Sequence, residues 1–263
     1  VCVCVCVCVC VCVCWQRFNS PKSSRFSCDI CINNVLALHN TRLLEAYGQV
    51  DTRMKAMAYI VKHWAKQRKL NEPYRGTLSS YAWVLLVINF LQQRVPPILP
   101  CLQQYREMEN EGDIPVLTVR GYNCYYYPHV QNLQHFGEAN TETLGELLMS
   151  FFEQYAERFD YPTSVVSVRV GRYLTKTEKH WERPRNLRDN HWFSIEDPFE
   201  VTHDLGRVVD RESLRAVKWE LRRAYRTLCE RCDLSLLCAT YREEDESAPS
   251  TTELKFEKQN KTK

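Results

Sequence analysis

The segment TLSSYAWVLLVINFLQQR, residues 77–94, constrains this chain more than any other stretch. Hydroxyl residues at its start suit a helix N-cap, its middle is apolar on most faces, and Pro96-Pro97 ends it. A helix that is apolar nearly all round is stable only when neighbours cover nearly all of it. Further helices are read in LLEAYGQV, VDTRMKAMAYIVKHWAKQRKL, TETLGELLMSFFEQYAERFDY and SLRAVKWELRRAYRTLCERC, where apolar residues recur at helical spacing. In the third of these Thr143 is a cap, with Glu146 in capping-box register. RFSCDICIN, SVVSVRV and HWFSIED read as short strands. Residues 103–138 are polar and broken by Gly, Pro and a YYYP cluster, which predicts a long excursion. From about Arg242 the chain turns acidic, then Ser/Thr/Pro-rich, then Lys-rich, the composition of a disordered tail. The fold class is therefore mainly α with a small α+β portion.

The first fourteen residues are a seven-fold Val-Cys repeat. As a strand it would be an unpaired edge about 46 Å long, an aggregation hazard and not a module. It lacks the basic start and small-residue cleavage site of a secretory signal, and falls short of the ~20 apolar residues of a membrane span. GTG encodes Val and TGT encodes Cys, so the repeat reads as a translated GT microsatellite. The chain starts with Val1 and not Met, which fits a fragment. The remaining 249 residues hold enough large apolar side chains for one large core or two smaller ones. Lys plus Arg number 35 against 32 Asp plus Glu, so net charge announces no nucleic-acid partner. Seven of the 14 Cys lie in the repeat, and the others are scattered, which predicts a reducing, intracellular compartment. Cys28/Cys31 and Cys229/Cys232 have zinc-ligand spacing, but on a strand residues three apart face opposite sides, so free thiols are the better reading.

Polar residues that a helical core does not ask for gather in four segments. Asp29 sits in a strand among apolar neighbours, where a carboxylate costs several kcal/mol unless paired or metal-bound. Lys62 and Lys66 are four apart, so one helix face offers two ammonium groups to one anion. SSY, with Ser80 and Tyr81, supplies hydroxyls and free backbone N–H groups at a helix start, where a phosphate binds. IEDPFEVTH brings Asp197, Glu200 and His203 together after a strand. Taken singly, each also has a plain structural reading: strand end, solvated face, helix cap and loop histidine.

Taken in order, CDICINN, HNTRLLEAY, VKHWAKQRKLNEPYRGTLSSYAWVLLV, NTETLGELLMSFFEQYA and IEDPFEVTHDLGR resemble the terminal uridylyltransferases and cytoplasmic-type poly(A) polymerases of the DNA polymerase β-like nucleotidyltransferase superfamily. The resemblance runs from about Phe26 to Arg207, with a weaker helix to about Cys229. It implies a repeat at 1–14, the last part of a nucleotidyltransferase α/β domain at 15–40, and a helical central domain at 41–230. That domain would include a PAP-associated region near 141–207 and be followed by a disordered tail at 231–263. The implied reaction is attack by an RNA 3′-hydroxyl on the α-phosphate of UTP or ATP, assisted by two Mg²⁺ (or Mn²⁺) ions held by three carboxylates. By resemblance, Asp29 is the third carboxylate, a general base or metal ligand. Asn40 and Thr41 lie at the ribose, Lys62, Lys66 and Ser80 at the triphosphate, and Tyr81 stacks on the base. Asp197, Glu200 and His203 belong to the base-reading segment. Uracil offers an N3–H donor and an O4 acceptor, which suits an acceptor such as Asp197 and a donor such as His203. Relatives with a histidine here tend to prefer UTP, so uridylyl transfer is expected over adenylyl transfer.

The family's Gly-Ser helix start and paired-aspartate motif have no counterpart, because the sequence contains no Gly-Ser dipeptide and no Asp-x-Asp. The repeat stands where two of the three metal ligands belong. The expectation is a chain that is incomplete and inactive by itself, or else a non-catalytic RNA- or partner-binding relic. The implied partners are UTP or ATP and an RNA 3′ end, with no membrane. The protein is expected to be a cytoplasmic monomer and not nuclear or mitochondrial.

Overall fold

The computed structural model describes residues 16–18, 28–30, 34–105, 116–182 and 191–242. Its helices are α1 (Val35–Val50), α2 (Thr52–Gln67), α3 (Ser80–Gln92), α4 (Leu144–Glu153), α5 (Lys176–Lys179), α6 (Arg211–Arg231) and α7 (Leu234–Leu237). Each long helix starts on a side chain that accepts a backbone N–H left over at the first turn: Asn34 for α1, Asp51 for α2, Ser79 for α3 and Asp210 for α6. Thr143 and Glu146 form the predicted capping box on α4.

Helix α3 lies at the centre, as its composition requires, with every residue from 82 to 92 buried. Its Trp83 meets Trp64 of α2 edge to face at 5.3 Å, and Trp64 meets Phe152 of α4 at 4.9 Å. The two polar residues of the α3 core have assigned duties. Asn89 donates to the Ser167 carbonyl at 2.9 Å, and Gln92 donates to the Tyr47 hydroxyl at 3.0 Å and the Val168 carbonyl at 3.1 Å. These bonds fasten α3 to α1 and to a three-stranded sheet while satisfying the side-chain N–H groups of Asn89 and Gln92, which burial would otherwise penalise.

The strands are β1 (Gln16–Phe18), β2 (Cys28–Ile30), β3 (Thr118–Val119), β4 (Tyr122–Asn123), β5 (Ser164–Ser167), β6 (Arg172–Thr175) and β7 (Ser194–Ile195). β1 and β2 pair antiparallel with Arg17 opposite Asp29. In the three-stranded sheet β5 is central, antiparallel to β6 and parallel to β7. An isolated bridge between Glu196 and Asp204 closes the loop that follows β7.

Two expectations need correction. Residues 116–138 are not a polar excursion throughout: Cys124, Tyr127, Val130 and Leu133 are buried in the core, and Arg53 donates to the Gly137 and Asn140 carbonyls at 2.8 Å each. The chain also stays packed beyond residue 231. Leu237 of α7 is buried, and the Tyr241 amide donates to the Gln67 carbonyl at 2.9 Å. The reason is the same in both places, since apolar residues spaced too irregularly to show a period still find a surface to cover. The Val-Cys repeat and the tail at 243–263 lie outside the described residues. Among the described residues no helix is long and apolar enough to cross a membrane.

Candidate functional site

The tip of α3 and the loop after β7 meet across 116 residues of sequence. The Tyr81 hydroxyl donates to Asp197 Oδ2 at 3.3 Å. Asp197 is almost fully buried, and its Oδ1 accepts the Phe199 and Glu200 amides at 2.9 Å each. One carboxylate thus folds the loop and holds the ring. Burial raises the Tyr81 phenol well above its ordinary pKa, and the neighbouring Asp197 charge raises it further.

The loop is narrow. The Asp197 amide donates to the His203 carbonyl at 3.1 Å, and the His203 amide donates to the Glu200 carbonyl at 2.7 Å. These backbone bonds leave the half-buried His203 imidazole without a hydrogen bond among the described residues, so its ring nitrogens are available to a ligand. Glu200 accepts from the Tyr122 hydroxyl at 3.3 Å, and that charge raises the Tyr122 phenol's pKa. Gln103 donates to the Pro198 carbonyl at 2.8 Å, and the Phe199 ring meets His39 of α1 edge to face at 6.3 Å.

Tyr122, Gln103 and Phe199 escaped the sequence reading. Tyr122 and Gln103 come from the region taken for an excursion, where no periodicity marks a residue as inward-facing. Phe199 sat inside a segment singled out only for its polar groups.

On α1, Asn40 is half-buried and its Oδ1 is enclosed without a hydrogen-bond partner, an acceptor that awaits a donor. Thr41 is exposed and donates to the Ala37 carbonyl at 2.8 Å. Lys62 and Lys66 are exposed on α2, and neither ammonium is paired among the described residues. Ser80 is the first residue of α3, and its Oγ accepts from Asn71 at 3.0 Å.

The family model described as "Cid1 family poly A polymerase" matches residues 143–203, which include α4, the three-stranded sheet and the loop after β7 as far as His203. The chain is 33% identical to the poly(A) RNA polymerase cid13 of Schizosaccharomyces pombe, over 88% of this chain and 38% of that protein. It is 38% identical to the terminal uridylyltransferase cid1 of the same yeast, over 78% of this chain and 51% of that protein. A solved structure of Cid1 with the UTP analogue UMPNPP superposes with a TM-score of 0.73 at 36% identity, covering 83% of this chain and 68% of that one. The chain belongs to the Cid1 family of terminal uridylyltransferases and poly(A) RNA polymerases. Within this family the chain spans 38% and 51% of the length of the two curated relatives above.

Other solved Cid1 structures hold Mg²⁺ with a nucleotide. The residues described here do not make such a centre. Among them no group of three His, Cys, Asp or Glu is placed to hold a metal ion, and Asp29 lies on a two-stranded pair of which only the backbone is described.

Proposed function

We propose that this chain is the nucleotide-selecting part of an RNA 3′-terminal nucleotidyltransferase that adds UMP, in preference to AMP, to RNA 3′ ends. The observation that carries the reading is the Tyr81–Asp197 contact, because it joins a ring able to stack on a base to a loop lined with hydrogen-bonding groups. Lys62 and Lys66, one turn apart on α2 and unpaired among the described residues, would offer two cations to a triphosphate, and the backbone N–H groups at the start of α3 would offer it the positive end of a helix. The orphaned Asn40 Oδ1 suits a ribose hydroxyl, with Thr41 beside it. His203 would donate to uracil O4, and the spare lone pair of Asp197 Oδ2 would accept from N3–H, with Glu200 supporting the loop. Adenine reverses both demands, since it presents an acceptor at N1 and a donor at N6. Asp29 is assigned as the one metal-binding carboxylate that this chain contributes; the reacting groups are an RNA 3′-hydroxyl and the α-phosphate, with pyrophosphate leaving.

The test is tailing of one RNA primer, with equal UTP and ATP, by a full-length protein in the sense of one that carries this chain together with the family's paired-aspartate motif. Uridine tails are expected. His203→Asn should lower the ratio of kcat/KM for UTP over ATP by roughly 5- to 150-fold, the effect of a lost hydrogen bond in a partly dry site. An ATP preference in the unaltered protein moves the assignment to poly(A) polymerase. An unchanged ratio confines His203 to loop support. The lack of any Asp-x-Asp in the sequence favours one second reading, a non-catalytic RNA- or partner-binding chain, and the same assay separates it by showing no tails.

A further inference from the structure

A cavity of about 620 Å³ opens between the three-stranded sheet and the N-terminal half of α6, away from the Tyr81–Asp197 contact. Its walls alternate rings and cations. Trp181 and His191 are stacked with centroids 5.1 Å apart and planes within 3°, and the Lys218 ammonium lies 4.8 Å from the centroid of the Tyr161 ring. Lys176 is buried, and its ammonium donates to the Tyr161 carbonyl at 2.7 Å. Trp192 lines the same cavity and keeps 42% of its surface in solvent. One carboxylate, Glu182, stands on the rim, held by the Thr177 hydroxyl.

Outside the cavity the cationic character continues. Arg211, Arg215 and Arg222 recur on α6 at spacings of four and seven, on one face with Lys218 at its margin. Arg222 pairs with Glu157 at 3.1 Å, while Arg211 and Arg215 are exposed and unpaired among the described residues. Trp219, 40% exposed, lies on that face as well. Burial holds the ammoniums of Lys176 and Lys218 below their ordinary pKa, so a nearby anion would be welcome to both.

We propose that this groove binds a single-stranded segment of RNA, one unpaired base stacking on the exposed Trp192 at the mouth of the cavity, beside the stack of the buried Trp181 with His191, while phosphates follow Lys218 and the arginines of α6. Stackable rings interleaved with cations are what an unpaired polynucleotide needs, and a paired duplex has no free base face to offer. The inference rests on the RNA-directed activity proposed above, and it names the stretch upstream of the reacting 3′ end. The groove and the Asp197 loop are joined by β7. His191 on the groove wall bonds through Nδ1 to Asp204 at 2.7 Å, and Asp204 closes the loop, so at most about 20 Å of extended chain separates His191 from Asp197.

The experiment is fluorescence anisotropy of a labelled single-stranded oligoribonucleotide against the 263-residue chain at several salt concentrations, alongside primer tailing by the full-length protein. Trp192→Ala should weaken RNA binding by roughly 5- to 150-fold, and Lys218→Ala should lower the slope of log affinity against log salt by about 0.7. Both side chains reach solvent, and unchanged circular dichroism and Tm would show that the variants fold. Unchanged RNA affinity in both, while the full-length protein still tails RNA, overturns the groove and leaves the proposed activity standing. Equal affinity for duplex and single strand also overturns it, because stacking would then contribute nothing. Tails that form with no preference for UTP, while the groove variants lose RNA affinity, keep the groove and overturn the nucleotide choice.

Discussion

Gly206 shows how little room the loop region has at the level of one residue. A Cβ there would lie 1.7 Å from the Phe193 carbonyl oxygen, a backbone atom that cannot step aside. Gly206→Ala should cost about 3 kcal/mol and lower Tm by about 6 to 12 °C in thermal unfolding, a size typical of overpacking that forces backbone shifts. A shift under about 2 °C would mean that the Phe193 backbone yields. The amide of the same glycine donates to Asp204 Oδ1 at 2.8 Å, so the steric limit and the loop closure meet at one position. Residues of this kind differ in how readable they are. Thr143 with Glu146, Ser79 and the Lys62/Lys66 pair act within a turn or two of helix, and short spacing is enough to recognise them. Tyr122 and Gln103 acquire their roles only through partners 78 and 95 residues away, and no local pattern encodes that.

Between elements, Glu196 is the latch that sets where the loop begins. Its buried carboxylate accepts from Arg169 at 2.9 Å, from Lys179 at 2.5 Å and from the Ser167 hydroxyl, and Lys179 donates in addition to the Val201 carbonyl at 2.5 Å. The β5–β6 hairpin, α5 and the loop after β7 are thereby held to one side chain. Burial by itself pushes the Glu196 carboxyl up, but the hydrogen bonds from Arg169, Lys179 and Ser167 outweigh it and hold the pKa below its ordinary value. A depressed folded-state pKa stabilises the fold above the unfolded value, about 4.3, and that stability is lost as pH falls through the folded one. Unfolding followed from pH 6 to about pH 3 should therefore show stability falling on the acid side. Glu196→Gln should be less stable near neutrality and flatter in that acid limb. An acid limb as steep in the variant as in the parent would assign the acid sensitivity to other carboxylates. Of the elements that carry this latch, β5 and β7 were visible in SVVSVRV and HWFSIED, whereas β6 and α5 are four residues each and too short to show a period. The latch itself was not visible, since HWFSIED reads equally well with Glu196 facing solvent.

At the scale of the whole molecule, the end of α2 is tied to α6 by a buried pair. Arg68 at the end of α2 donates to both carboxylate oxygens of Glu220 on α6, at 2.9 and 2.6 Å, and both side chains are nearly inaccessible. Removing one partner of such a pair typically costs about 3 to 5 kcal/mol, so this contact fixes how α6, and with it the basic groove, sits on the core. The catalytic outcome also belongs to this scale. The 263-residue chain alone should show no Mg²⁺-dependent tailing of an RNA primer with UTP or ATP, because one carboxylate at Asp29 does not hold two ions. Tails made by this chain, free of contaminating polymerase, would mean that the carboxylates are supplied by residues other than the family's pattern. What the sequence determined by itself is the presence of the five long helices, the caps of α3 and α4, the buried character of α3 and the motifs that place the chain in the Cid1 family, all of which depend on spacings of a few residues. Tertiary structure alone decided that Tyr81 meets Asp197, that Asn40 keeps an unpartnered oxygen, that residues 116–138 and α7 join the core, and that Trp181, His191, Trp192 and Lys218 share one groove. These depend on contacts between segments far apart in the chain, where the free energy comes from burial and hydrogen bonding across an interface that no local period records.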